Sequence, residues 1–195
     1  MQDVVALIRA AIGLLSLGVV ALVTLRSLKH PEKITRLMHD GPLGVMYIAG
    51  LALLLPLGRT WMAVYAACVI LSNAWFIFRV CSHCRLLGET GGPSLHCALA
   101  NRLVRKADEP RFAERFRREA LVVAVGWVMP PVGGVVLLVQ HWGTGWPFAG
   151  DLVTVLGFSL IAFWLVPVAA KPACQRCDNR EECPRGRACA AKQAR

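Results

Sequence analysis

Cysteines are the residues of this chain whose type and spacing carry the clearest chemistry. The chain has 195 residues and eight cysteines, and all of them except Cys68 lie in two polar segments. The first segment contains Cys81-Ser-His-Cys84 and, after a Gly-Gly-Pro turn, His96-Cys97. The second contains Cys174, Cys177, Cys183 and Cys189. A Cys-x-x-Cys pair allows two sulfurs from one tight turn to reach a single metal ion, so both segments are candidate metal sites.

The two segments differ in how complete their ligand sets are. The second supplies four thiolates, which is a full set for zinc or for a [4Fe–4S] cluster. The first supplies three sulfurs, and either His96 or a cysteine of the second segment would complete it. His83 lies inside the Cys-x-x-Cys turn and is the weaker choice. The predicted metal ligands are Cys81, Cys84, His96, Cys97, Cys174, Cys177, Cys183 and Cys189. The identity of the metal, iron–sulfur or zinc, and the number of sites, one or two, stay open.

The composition predicts an integral membrane protein. Hydrophobic residues make up 56% of the chain and charged residues only 17%, and the charges are bunched. The apolar content exceeds what the core of a soluble domain requires. The net charge of +10 is explained by cations that flank membrane segments, so no nucleic-acid partner is expected.

The lengths of the apolar segments predict five membrane-spanning helices, because a span requires about 20 mostly apolar residues. The spans are placed at about 4–25, at two positions within 41–80 joined by a turn at 56–60, at 120–140 and at 148–170. The expected fold class is therefore all-α, a polytopic membrane helix bundle over residues 1–170. This bundle includes a cysteine loop at 81–118, and a cysteine-rich tail follows at 171–195.

The distribution of cations predicts the orientation of the bundle. If five spans alternate in direction, all but Arg9 and Arg59 of the 22 lysines and arginines lie on one side. By the positive-inside rule this side is the cytoplasm, so the amino terminus is outside and the carboxyl terminus is cytoplasmic. The chain is then a multi-pass protein of the inner (plasma) membrane. Both cysteine segments face a reducing compartment, where metal binding is more common than disulfide formation.

Single residues within the spans lead to further expectations. Arg9 lies close enough to the start of the first span to extend its side chain to the interface. Asp151, near the outer end of the last span, is expected to be solvated. Ser72 and Asn73 either line a path through the membrane or make helix–helix contacts.

The segments around the cysteine loop carry expectations of their own. Pro130-Pro131 and Gly133-Gly134 predict a kink or a break in the fourth span. Ser94 is a plausible N-cap for a short helix over 95–106. A second helical piece begins near 108–110, and it either lies on the membrane surface or simply extends the fourth span.

The function that these features favour is membrane anchoring and electron relay through an iron–sulfur centre, beside a protein partner at the cytoplasmic face. A zinc-stabilised scaffold without enzymatic activity is a close alternative. A thiol–disulfide redox protein using Cys81 and Cys84 is less favoured, because such pairs work on an oxidising face. Transport of soft metal ions is also less favoured, since Cys68 is the one cysteine within the spans.

Overall fold

The computed structural model describes residues 2–29, 36–84, 87, 95–107, 111–176, 181, 183 and 187. Within these ranges the chain is helical and contains no strand, which confirms the prediction of an all-α protein. The α-helices are, in chain order, α1 (Gln2–Lys29), α2 (Arg36–Leu54), α3 (Arg59–Arg79), α4 (Leu95–Leu103), α5 (Phe112–Gln140), α6 (Trp146–Leu160) and α7 (Val166–Arg176).

Five helical stretches of the described chain are long and apolar enough to cross a membrane, as predicted. They are Leu7–Arg26, Asp40–Leu57, Arg59–His83, Phe112–Gln140 and Pro147–Pro172. Large apolar side chains such as Leu15, Ile70 and Leu121 are exposed along them. Apolar surface of this extent is unusual for a protein in water and is what the hydrocarbon of a bilayer covers.

The turn between α2 and α3 lies where the sequence predicts it. A single turn of 3₁₀-helix, Leu55–Leu57, follows α2, and the N–H of Gly58 donates to the Leu55 carbonyl at 3.1 Å. Gly58 has φ of 99°, a conformation that favours glycine. The chain can therefore reverse direction within a few residues and begin α3 at Arg59.

Contacts between distant residues define two ends of the bundle. At the Arg9 end, the start of α1 meets the start of α6 through Arg9 and Asp151. At the Cys81 end, the last turns of α3 meet the first turns of α5 through Trp75 and Glu119. Successive spans therefore run in opposite directions.

The main core lies between α1, α2 and the last span. Its buried residues include Val20 of α1, Met46 and Leu53 of α2, and Phe158 and Ile161 of the last span. The helices α3 and α5 pack on each other beside this core. A small second cluster, formed by Ile77, Cys81, Leu87 and Ala100, lies at the Cys81 end.

Of the two alternatives predicted at Pro130-Pro131, a kink or a break, the break is wrong, because α5 continues through both prolines to Gln140. Pro130 is buried, and the two glycines that follow lie against neighbouring helices. Gly133 faces Leu54 of α2, and Gly134 faces Val155 of α6. Close packing by neighbouring helices is the condition under which proline and glycine are tolerated inside a span.

The basic segment before the fourth span is part of the same helix. Because α5 begins at Phe112 and runs without interruption, it is an extension of the span rather than a separate surface helix. The short helix α4 ends at Leu103, three residues earlier than expected. Its predicted cap, Ser94, and the segment 108–110 lie outside the described residues.

The last span contains an irregularity that the sequence does not reveal. A single π-helical turn, Ile161–Leu165, separates α6 from α7 without interrupting the helix. Such a turn holds one extra residue and rotates the face of the helix that follows it. The apolar pattern of the span is uniform here, so the sequence offers no signal for it.

Substitution of Gly50 tests the packing between α2 and α3. A Cβ atom added there would lie 2.8 Å from Cζ of Tyr65 and 3.0 Å from Cγ of Pro130. Tyr65 is buried and donates a hydrogen bond to the Gly126 carbonyl, so its ring has little room to move. Gly50→Ala is expected to destabilise the protein by about 1–3 kcal/mol, measured by thermal unfolding in detergent.

The matched control is Gly44→Ala in the same helix, where an added Cβ meets no atom within 4 Å. This variant should unfold at or slightly above the temperature of the parent protein, because alanine has the higher helix propensity. Equal unfolding temperatures for the two variants would contradict the packing described.

Candidate functional site

The structure describes the side chains of three predicted metal ligands, Cys81, Cys84 and Cys183. Three others lie in described helices without a described side chain: His96 and Cys97 in α4, and Cys174 in α7. Cys177 and Cys189 lie outside the described residues. Among the described residues, no group of three or more histidine, cysteine or acidic side chains is arranged to hold a metal ion. The metal site stays a prediction.

The Cys-x-x-Cys pair forms one compact turn directly after α3. Residues Cys81–His83 make a single turn of 3₁₀-helix, and the N–H of Cys84 donates to the Cys81 carbonyl at 3.0 Å. Cys84 itself has an extended backbone. The described cysteines form no disulfide. The two cysteines therefore lie at the first and last positions of one tight backbone turn.

The chain that follows this turn folds back onto it. The N–H of Ala107 donates to the Ser82 carbonyl at 2.9 Å, and Ala100 of α4 packs in the same apolar cluster as Cys81. Cys81 is only 7% exposed. The backbone thus brings the helix that contains Cys97 to the Cys-x-x-Cys turn.

The described part of the tail adds little to this picture. The helix α7 continues past the predicted end of the last span to Arg176, so position 174 is helical. Cys183 is half-buried, and its carbonyl accepts a hydrogen bond from the N–H of Arg187 at 2.9 Å.

A buried cluster of charged side chains at the Arg9 end was missed by the sequence interpretation. Nη1 of Arg9 lies 2.6 Å from Oδ1 of Asp151, and Nδ1 of His141 lies 2.6 Å from Oδ2 of the same carboxylate. The side chains of Arg9 and Asp151 are 2% and 1% exposed, whereas that of His141 is 30% exposed. A single carboxylate is thus held between an arginine and a histidine.

Arg9 also binds the end of α2. Its Nε donates to the Ala52 carbonyl and its Nη2 to the Leu53 carbonyl, each at 3.2 Å. These carbonyls belong to the last turn of a helix, where no backbone N–H is available to them. Arg9 therefore satisfies two kinds of acceptor at once, an anion and the free end of a helix.

The expectations for Arg9 and Asp151 are both corrected by this geometry. Arg9 does not extend to the interface, and Asp151 is not solvated, because each is enclosed by the packed helices and neutralised by the other. The sequence did contain a signal. Arg9 and Asp151 carry opposite charges near the starts of the first and last spans, and the sequence predicts both starts on the same side of the membrane. Charged residues in apolar spans are usually paired.

The polar residues of α3 make helix contacts. Oγ of Ser72 donates to the Val69 carbonyl of its own helix at 3.1 Å. Nδ2 of Asn73 donates to the same carbonyl at 2.7 Å and to the hydroxyl of Tyr47 in α2 at 3.2 Å. For Asn73 the geometry supports a contact between helices, whereas the hydrogen bond of Ser72 stays within α3.

Comparisons with known proteins place no constraint on function. The chain matches no protein-family model, no curated protein and no solved structure. The function is therefore argued from the residues of this chain.

Removal of Asp151 tests the buried cluster. Asp151→Ala leaves the guanidinium of Arg9 buried without its carboxylate, and loss of one partner of a buried ion pair costs about 3–5 kcal/mol. The variant is expected to unfold at a clearly lower temperature in detergent, followed by circular dichroism.

The control is a double variant, Arg9→Met with Asp151→Leu, which removes both charges and keeps comparable volumes. Its stability should recover part of the loss, since apolar replacements of buried pairs are often neutral. The recovery should be incomplete, because the Ala52 and Leu53 carbonyls lose their donor. A parent-like unfolding temperature for Asp151→Ala would show that the pair does not hold the Arg9 end together.

Proposed function

We propose that this chain is a multi-pass protein of the inner (plasma) membrane, with its amino terminus outside and its carboxyl terminus in the cytoplasm. Five helices of suitable length and composition support insertion. The segregation of cations supports the orientation. At the Arg9 end the basic residues are Arg59 and Arg9, and Arg9 is paired with Asp151. The other lysines and arginines belong to the segments assigned to the Cys81 end, which is the cytoplasmic side by the positive-inside rule.

Cysteine labelling in intact cells tests this orientation. With all native cysteines replaced except Cys189, a membrane-impermeant maleimide should label the protein only after the cells are opened. In a second cysteine-depleted variant, Thr144→Cys should be labelled in intact cells, because Thr144 is exposed in the turn after α5. The reverse pattern would overturn the proposed orientation, and with it the argument from a reducing compartment.

The proposed activity is binding of a metal by cysteines at the cytoplasmic face. The observation that carries it is the Cys81–Cys84 turn covered by α4, because the backbone brings the segment with His96 and Cys97 to a preformed Cys-x-x-Cys turn. The tail would supply four further thiolates on the same side of the membrane. Cysteines of a reducing compartment at such spacings are typical metal ligands.

Among metal centres, the proposal is an iron–sulfur cluster in a membrane anchor or electron-relay subunit. The tail supplies the four cysteines that a [4Fe–4S] cluster requires, and the loop would reach four ligands with His96 or a cysteine of the tail. The turn that contains Cys81 directly continues α3, so a cluster there would be fixed to the membrane and accessible to a protein partner in the cytoplasm. The cysteines would hold the cluster, and the chemistry that it would supply is one-electron transfer between a donor and an acceptor.

A zinc-stabilised scaffold is the second candidate. It is favoured by the position of Cys81, which is buried in a small apolar cluster at the junction of α3 and α4. A closed structural zinc site contributes directly to folding. In this case the metal would order the cytoplasmic cap, which consists of the cysteine loop at 81–118 and the tail at 171–195, without moving electrons.

Metal analysis of protein purified without oxygen distinguishes the two candidates. Iron and acid-labile sulfide, with the visible absorbance of an iron–sulfur chromophore that bleaches on reduction, are expected for the electron relay. A colourless protein that contains zinc would support the scaffold and reject the relay. Protein that contains neither metal would reject both, and a disulfide between Cys81 and Cys84 in it would favour the thiol–disulfide alternative.

Two cysteine substitutions test whether the Cys81–Cys84 turn binds the metal. One is in this turn and the other is within α3, the helix that precedes it. Cys84→Ser removes a half-buried candidate ligand and is expected to lower the metal content substantially. Cys68→Ser removes a half-buried cysteine from within α3, and it should leave the metal content unchanged. Equal metal content in the two variants would exclude the Cys81–Cys84 turn from the site.

A further inference from the structure

A second buried carboxylate lies at the Cys81 end, between α3 and α5. Nε1 of Trp75 donates to Oε2 of Glu119 at 2.9 Å. The Glu119 side chain is 6% exposed, and within the described chain its other oxygen, Oε1, is buried without a hydrogen bond. The indole of Trp75 and the carboxylate of Glu119 thus form a fixed, oriented pair where the two helices meet.

Three arginines surround this pair. Nε of Arg118 lies 3.6 Å and Nη1 of Arg115 lies 4.0 Å from Oε1 of Glu119. The guanidinium of Arg79 lies over the ring of Trp75, 5.5 Å from its centroid. Arginine remains charged in proteins. Among the described side chains in these contacts, three guanidinium groups surround one carboxylate and leave an excess of positive charge.

The cluster faces outward as well as inward. The side chain of Arg118 is 66% exposed, and Arg79 is exposed at the end of α3. Both Arg115 and Arg118 lie farther from the Glu119 carboxylate than a hydrogen bond allows. Their N–H groups are therefore available to another acceptor. A ligand with negatively charged oxygens is what this arrangement can bind.

Apolar surface begins immediately beside these arginines. Phe78 precedes Arg79 on α3 and is 53% exposed, and Leu121 follows Arg118 on α5 and is 76% exposed. Both residues belong to helices that can span a membrane. A ligand bound here would therefore place an anionic group on the arginines and a hydrocarbon part along α3 and α5. A phospholipid has this shape, whereas free phosphate has no part that would use the apolar surface.

We propose that Arg79, Arg115 and Arg118 form a headgroup site for an anionic phospholipid, with Trp75 and Glu119 holding the arginines in place. The phosphodiester accepts hydrogen bonds from the guanidinium groups, which match its geometry. The acyl chains lie on the exposed apolar residues of α3 and α5. This site depends on insertion into a membrane but not on the presence of a metal or on its identity.

Lipid retention by the full-length protein tests the proposal. The protein is purified in detergent, and native mass spectrometry compares its binding of phosphatidylglycerol with that of phosphatidylcholine of the same acyl chains. The parent protein should retain the anionic lipid preferentially. The double variant Arg79→Gln, Arg118→Gln is expected to bind the anionic lipid about tenfold more weakly than the parent protein. The reason is that each arginine near a lipid surface contributes substantially to the attraction.

The control is Arg117→Gln, which removes the same charge one residue from Arg118. Arg117 is exposed, and its Nε donates to the Ala113 carbonyl at 3.4 Å, away from Glu119. Arg117→Gln should retain the lipid like the parent, and Arg118→Gln should not. If both single variants lose the same amount of phosphatidylglycerol, the binding depends on net charge alone. That result would overturn the proposed site.

Two further outcomes bear on the identity of the ligand. Equal retention of phosphatidylcholine would overturn recognition of an anionic headgroup. Displacement of phosphatidylglycerol by millimolar inorganic phosphate would show a site for phosphate alone and overturn the choice of a lipid. The unfolding temperature and helical circular dichroism of each variant are measured in parallel, so that a loss of lipid counts only for protein that retains the fold.

Discussion

The ion pair between Arg9 and Asp151 is the constraint on which the arrangement of the spans depends. Removal of two charges from water costs several kcal/mol for each ion, and this cost is offset only if the remaining hydrogen-bonding groups are also satisfied. Arg9 meets this requirement by binding Asp151 and two carbonyls of α2. Because the carbonyls come from one helix and the carboxylate from another, the pair can be satisfied only when α1, α2 and α6 are in a single register.

This register determines which surfaces meet along the rest of the bundle. Downstream of Arg9, Gly13 lies against the backbone of Thr154, so α1 and α6 approach closely. The same approach places Val20 of α1 beside Phe158 and Ile161 in the main core. Within hydrocarbon there is little hydrophobic force between helices, and close packing and polar contacts provide the specificity. The charged cluster thus selects one packing among several that apolar faces alone would permit.

The sequence predicts the spans well, because a run of apolar residues near the length of a bilayer has few other structures. It also predicts the turn after α2, because Pro56 fixes its own φ and Gly58 can adopt the positive φ that the turn requires. It fails where the outcome depends on a distant partner. Burial of Asp151 requires Arg9, which is 142 residues away, and continuity of α5 through Pro130 requires the helices that pack against Gly133 and Gly134. For the candidate site, spacing predicts the Cys81–Cys84 turn, but not the return of α4 onto it through Ala100.

Under the proposed function, ordering of the cap and occupancy by the metal are one equilibrium. In the part of the chain that the structure describes, the apolar cluster around Cys81 has four buried residues. The tail after residue 171 has no large aliphatic or aromatic side chain. A segment of this composition cannot offset its loss of conformational entropy by burial. Ligation by cysteines supplies that free energy in small metal-bound folds. The bundle therefore has two different sources of order: a buried ion pair holds the Arg9 end in place without a ligand, and a bound metal would order the tail at the opposite end.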